Sequence, residues 1–72
     1  MNDIRIICGR NIARLRKERG FNQYDLAAEV GLSKTTIANY EQYISLPGAK
    51  NLMAIAEVLK VKPYKLLMEN GD

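Results

Sequence analysis

The side chains that could do chemistry in this sequence are few in kind. There is no histidine and a single cysteine. That excludes a Cys/His zinc site, a Ser-His-Asp triad and histidine acid–base work. Tyrosine, serine, lysine and carboxylates remain, but none forms a recognisable acid–base or metal-binding cluster. No catalytic residue, metal, cofactor or small-molecule ligand is expected. One stretch stands apart. Over residues 34–42, KTTIANYEQ, the side chains of Lys34, Thr35, Ala38, Asn39 and Gln42 share one face of a 3.6-residue wheel. Ile37 and Tyr40 share the other, flanked by Thr36 and Glu41. The outer face holds one cation, short polar groups and no long apolar side chain. A helix of that kind fits a DNA major groove, because its N-terminus favours phosphate and its polar side chains reach base edges. Taken by itself, such a face is more often simply solvated.

The elements that would position this helix are legible in the flanking sequence. No segment alternates with period two; five apolar stretches recur at helical spacing. The first helix spans about residues 4–19, with Ile4, Ile7, Cys8, Ile12 and Leu15 on one side and Arg10, Arg14 and Lys17 opposite. Gly20 is a C-terminal stop. Asn22 caps a second helix over 23–30, with Asp25 placed as in a capping box. Gly31 suits a positive φ, and Ser33 is the N-cap of the helix over 34–42. The fourth helix, 49–60, buries Leu52, Ile55, Ala56 and Leu59. Pro63 fits the first position of a fifth, which carries Tyr64, Leu66, Leu67 and Met68. Two short helices joined across residues 31–33 must cross steeply to bury Leu26, Val30, Leu32, Ile37 and Tyr40 together, with the small Ala27 at the crossing.

Length and composition set the bounds. A chain of 72 residues is expected to be one domain over 1–72, and one this small buries only about 60% of its unfolded surface. Hydrophobic residues at 47% and charged residues at 26% are ordinary for a globular protein. No apolar run reaches membrane-spanning length, there is no signal-peptide pattern at the N-terminus, and a lone cysteine suits a reducing compartment; a cytoplasmic, nucleoid-associated protein is expected. Eleven Lys and Arg against eight Asp and Glu give a net charge of +3, compatible with a polyanionic partner.

The pieces, taken in order, resemble the Xre/Cro-like helix-turn-helix family of phage and bacterial repressors. The motifs are G-x-x-I-x-x-L-R at 9–16, Gln23 opening the second helix, L-A-x-x-x-G-L-S at 26–33, I-x-x-Y-E at 37–41, Pro47 in the following loop, and L-x-x-I-A-x-x-L at 52–59. The likeness spans about residues 9–68. No single piece is specific, but their order and spacing are.

The resemblance implies an all-α, five-helix, lambda-repressor-like domain with its helix-turn-helix over about 23–42. It implies base-edge contact by Lys34, Thr35 and Asn39, with Thr36 and Gln42 as further candidates. Lys34 suits guanine, Asn39 adenine and the Thr35 methyl thymine. Gln23, Tyr24, Ser33 and Lys50 become candidate phosphate contacts. Arg10, Arg14, Lys17 and Arg19 read as an ordinary solvating patch, and Cys8 as a buried small apolar residue. Arg16 and Glu41 are expected to form a structural ion pair, matching the family pattern. Family members commonly act as two-fold dimers on half-sites about 34 Å apart. The corresponding interface here would comprise Val58, Val61, Tyr64, Leu67 and Met68, with Leu46 at its edge and Val58 exposed in a monomer. The expected partner is double-stranded DNA carrying a palindromic operator. One departure matters: where the family has Gly after Glu41 and a polar residue, this sequence has Tyr43, and the loop 43–46 is apolar and has lost its cations. That loop supports an alternative reading, an antitoxin or other protein-interaction module that keeps the fold.

Overall fold

The computed structural model describes residues 3–69. Four α-helices and one 3-10 turn follow in chain order: α1 Ile4–Glu18, α2 Gln23–Val30, α3 Lys34–Glu41, α4 Ala49–Leu59 and the turn Pro63–Leu67. No strand occurs among the described residues. The expected fifth helix is therefore corrected to a 3-10 turn. Its five residues are too few for α-helix propagation, and Pro63 opens either kind of helix equally well. The carbonyls of Lys65, Leu66 and Met68 all accept hydrogen bonds from Asn11 Nδ2, at 3.3, 3.0 and 2.8 Å. The C-terminal turn is thus held from α1 as well as by its own i→i+3 hydrogen bonds.

The helix boundaries have local causes. Asp3 caps α1 by accepting the Arg5 backbone N–H at 2.8 Å. The Arg5 side chain, and after it this backbone bond, holds the Asp3 carboxyl below its ordinary value. All four α-helices stop in one way. The N–H of Phe21, Leu32, Ile44 and Val61 reaches back to the carbonyl of Arg16, Ala27, Asn39 and Ala56 respectively, at 2.9–3.1 Å. That closure needs the preceding residue in the left-handed region. Gly20 and Gly31 supply it at φ 77° and 84°; Tyr43 and Lys60 supply it at 65° and 63° without being glycine. A left-handed non-glycine residue costs about 1–2 kcal/mol. These closures end α3 at Glu41 and α4 at Leu59, one residue short of the sequence expectation in each case.

The core gathers Cys8, Ile12, Leu15, Leu26, Ala27, Ile37, Tyr40, Ile55, Ala56, Leu59 and Leu66. Of the α1 stripe, Ile4 is exposed and Ile7 half-buried, and neither belongs to this cluster. Burial pushes the Cys8 thiol up to about 11, so it behaves as a small apolar group. Helix α1 packs on α3, α4 and the 3-10 turn, and α2 packs on α3 and α4. Gly9 lets α1 approach the end of α3 closely: a Cβ there would collide with the Tyr40 carbonyl oxygen and meet the Tyr43 ring at 2.8 Å. Asn51 Nδ2 donates to the Tyr40 hydroxyl at 3.0 Å, tying α4 to α3.

Candidate nucleic-acid interface

Each helix of the 23–42 segment is started by its own side-chain cap. Asn22 Oδ1 accepts the Asp25 N–H at 2.7 Å, and Asp25 Oδ2 accepts the Asn22 N–H at 3.1 Å, closing a capping box. Ser33 Oγ accepts the Thr36 N–H at 3.1 Å and shares a further hydrogen bond with Thr36 Oγ1 at 2.8 Å. Between them Gly31 turns the chain in the left-handed region. Leu26 and Ala27 of α2 and Ile37 and Tyr40 of α3 are buried, as the apolar pattern requires of two helices sharing a core.

Packing of Ile37 and Tyr40 inward leaves the opposite face of α3 outward. Lys34, Thr35 and Gln42 are exposed, while Ala38 and Asn39 are half-buried on the same side. Gln42 is the C-cap rather than a helical residue. Thr36 is half-buried, and its hydroxyl turns back to Ser33. Tyr24 stands 67% exposed beside the start of α2. Lys50 is exposed in the first turn of α4. Gln23, Tyr24 and Lys34 come together with Arg16 and Asn22 around one shallow depression, where the end of α1 meets the starts of α2 and α3.

Behind this depression lies the buried polar network of the molecule. Arg16 Nε donates to Glu41 Oε2 at 2.8 Å and Nη2 to Oε1 at 3.0 Å, a two-pronged ion pair with side chains only 10% and 7% exposed. Arg16 Nη1 donates to the Phe21 carbonyl at 2.8 Å. Gln23 Nε2 donates to Glu41 Oε1 at 3.0 Å. One guanidinium therefore joins α1 to the last residue of α3 and to the turn leading into α2. The Arg16–Glu41 pair is the one expected from two charges flanking apolar faces and from the family pattern at these positions. The engagement of Gln23 and Phe21 was not legible, since a helix-opening glutamine reads as a surface residue and any residue type carries a carbonyl.

Comparison with known proteins agrees with this architecture. Residues 12–66 match the helix-turn-helix family. The chain belongs to the Xre/Cro-like helix-turn-helix family. A relative 32% identical over 70 residues, covering 97% of this chain and 91% of its own length, is the uncharacterized HTH-type transcriptional regulator y4dJ of Sinorhizobium fredii. Among solved structures, the hypothetical transcription factor NHTF from Neisseria superposes with a TM-score of 0.89 at 28% identity, covering 93% of this chain and 77% of that one. The P22 c2 repressor in complex with synthetic operator 9T superposes with a TM-score of 0.81 at 31% identity, covering 90% and 96%. Xre/Cro-like family and fold are those of DNA-binding transcription regulators.

Within this family framework the C-terminal candidates divide into two groups. Tyr64, Leu67 and Met68 are exposed on and just after the 3-10 turn, and Leu46 is exposed in the loop before α4. Val58 and Val61 are half-buried and rest on the core. The expectation that Val58 is exposed in a monomer is thus corrected: it lines a groove with Phe21, Val30 and Ala54 between α2 and α4. No helix among the described residues is long and apolar enough to cross a membrane.

Proposed function

We propose that this chain is a single helix-turn-helix domain acting as a sequence-specific, double-stranded DNA-binding transcriptional regulator of the repressor type, working in the cytoplasm on the nucleoid. The observation that carries the reading is the outward polar face of α3 standing directly beside a depression that collects Gln23, Tyr24 and Lys34. In this account α3 enters the major groove with its N-terminus leading. Lys34, Thr35 and Asn39 read base edges, with Thr36 and Gln42 at the margins. Phosphate is taken by Gln23, Tyr24, Ser33 and Lys50, where backbone N–H groups at the starts of α2, α3 and α4 add donors. The likeness to a repressor solved with its synthetic operator supports the same docking.

One readout helix buries too little surface to select a site in a genome. We infer a two-fold dimer that joins exposed Tyr64, Leu67 and Met68, with Val58 and Val61 at their inner edge, and reads a palindromic operator. Selection of bound sequences from random duplex DNA tests both statements. The expected product is a palindrome with half-sites about one helical turn apart; recovery of no enriched motif contradicts the regulator reading.

The protein-interaction alternative has one observation in its favour. Ile44 is 59% exposed and Leu46 41% exposed in a loop without cations. An electrophoretic shift separates the readings, because each phosphate neutralised adds about −0.9 to the slope of log affinity on log salt. An antitoxin-type module acting through its apolar loop would show a flat salt response toward its protein partner.

A further inference from the structure

Glu41 does more than neutralise Arg16. Its Oε1 also accepts Gln23 Nε2 at 3.0 Å, and this bond supports an inference that rests on the DNA reading above. We propose that Glu41 is a positioning residue for the phosphate contact: it locks the Gln23 side-chain amide with one N–H inward, so that the other N–H of the same nitrogen faces the depression where a phosphate would sit.

A carboxylate can only accept hydrogen bonds, whereas an amide end has two donors on nitrogen and an acceptor on oxygen. With Glu41 behind it, the Gln23 amide has one favourable orientation, nitrogen toward the carboxylate. Turned over, it would set Oε1 against a carboxylate oxygen on the inside and against a phosphate on the outside. Glu41 is itself held by the two-pronged Arg16 contact at 2.8 and 3.0 Å. The third Arg16 bond, to the Phe21 carbonyl, fixes the backbone two residues before Gln23. The last residue of α3 therefore sets the first side chain of α2, and the seat of the readout helix and the grip on the DNA backbone are one unit. Asn22, Tyr24 and Lys34 complete the rim of the same depression.

The test is a double-mutant cycle on the full chain, measured by fluorescence anisotropy with a selected and a random duplex. Gln23→Ala is expected to weaken both duplexes about tenfold, the loss of one hydrogen bond to a charged group, and to leave the salt slope unchanged, because the amide carries no charge. Glu41→Gln can offer its own NH2 to Gln23, which turns the Gln23 oxygen toward the phosphate, and is expected to lower affinity several-fold on both duplexes. On the Glu41→Gln background, adding Gln23→Ala should cost less than about twofold, because the contact is already lost. Glu41→Gln also loosens the hold on Arg16, so Glu41→Asp is the second variant. It keeps the negative charge but withdraws the carboxylate by one methylene, and the same loss of coupling is expected with a melting temperature closer to native. The two Gln23 side-chain NH2 resonances are expected to be well separated in the native protein, where one N–H is held by Glu41, and to converge in both variants. A Gln23→Ala loss of equal size on all three backgrounds overturns the proposal. Absence of any duplex affinity in the native protein, seen before a variant is compared, removes instead the DNA reading on which it rests.

Discussion

Two of the seams that hold helix α1 are each organised by one buried polar side chain. Toward α3 it is Arg16, a charge that finds its counter-charge on Glu41 and reaches on to the Phe21 carbonyl. Toward the C-terminal turn it is Asn11, a neutral amide whose single nitrogen serves the carbonyls of Lys65, Leu66 and Met68. The first seam sets α3, the proposed readout helix; the second sets the exposed apolar residues proposed for dimerisation. The difference is one of partners. A buried charge demands a second charged residue, so the seam is specified twice in the sequence and fails badly when either half is lost. A buried amide can be satisfied by backbone alone, so its seam is specified once and yields more gently.

Four changes would break or sharpen that contrast, from the strongest effect to the weakest. Glu41→Ala leaves a nearly buried guanidinium unpaired and should destabilise the fold by about 3–5 kcal/mol in urea unfolding, whereas Asn39→Ala on the outer face should stay within about 0.5 kcal/mol. Small, equal shifts for the two would sink the ion-pair seam. Asn11→Ala removes the one donor to three carbonyls and should cost about 1–3 kcal/mol. Hydrogen exchange distinguishes the seams: Asn11→Ala should speed exchange around residues 63–68 and spare α3, and Glu41→Ala should speed it in α3.

Lys60→Gly relieves a left-handed lysine with no ring to lose and should gain up to about 1 kcal/mol, or roughly 4–8 °C in melting temperature. Tyr43→Gly relieves the same strain but forfeits the ring packed on Gly9, so its gain should be smaller or absent; an equal gain would show that the ring contributes nothing to the α1–α3 seam. Cys8, fully buried between the seams with its thiol pushed from 9.0 up to about 11, should resist thiol reagents until the chain unfolds. Because the folded value lies above the unfolded one, the unfolded chain releases this proton first. The Cys8 contribution should therefore lower stability as pH rises from about 9 to about 11.

The two seams also mark what could be read before any coordinates. Periodicity placed all four α-helices to within a residue, because each buries a strong apolar stripe and three are bounded by Asn22, Ser33, Gly20 or Gly31. The Arg16–Glu41 pair was legible because both charges flank apolar faces and the family pattern pairs an Arg and a Glu at these positions. Asn11 was not, although it sits three residues beyond Cys8 on the α1 stripe, since its partners are carbonyls that every sequence carries. The final turn reads as a helix because Pro63 opens either kind, while its five residues are too few for an α-helix and its last carbonyls turn to a side chain 54–57 residues away. Tyr43 was recognised as a substitution for the family's glycine. Its left-handed backbone closes the end of α3 where the family has glycine, whereas its seat on Gly9 depends on α1, which no local pattern reveals. On the candidate interface, the exposed face of α3 followed from the wheel. The engagement of Gln23 with Glu41 did not, because it joins residues 18 apart through the fold.

The central claim is that the outward side of α3 distinguishes one DNA sequence from another, and Lys34 at its leading end is the most exposed test of it. Titrating native and Lys34→Ala protein against a selected duplex, its single-base variants and a random duplex at fixed salt measures this directly. The account predicts a loss of about 1–3 kcal/mol on the selected duplex, preference relaxed at one base position, and a smaller loss on random DNA. Equal losses on selected and random duplexes would contradict it.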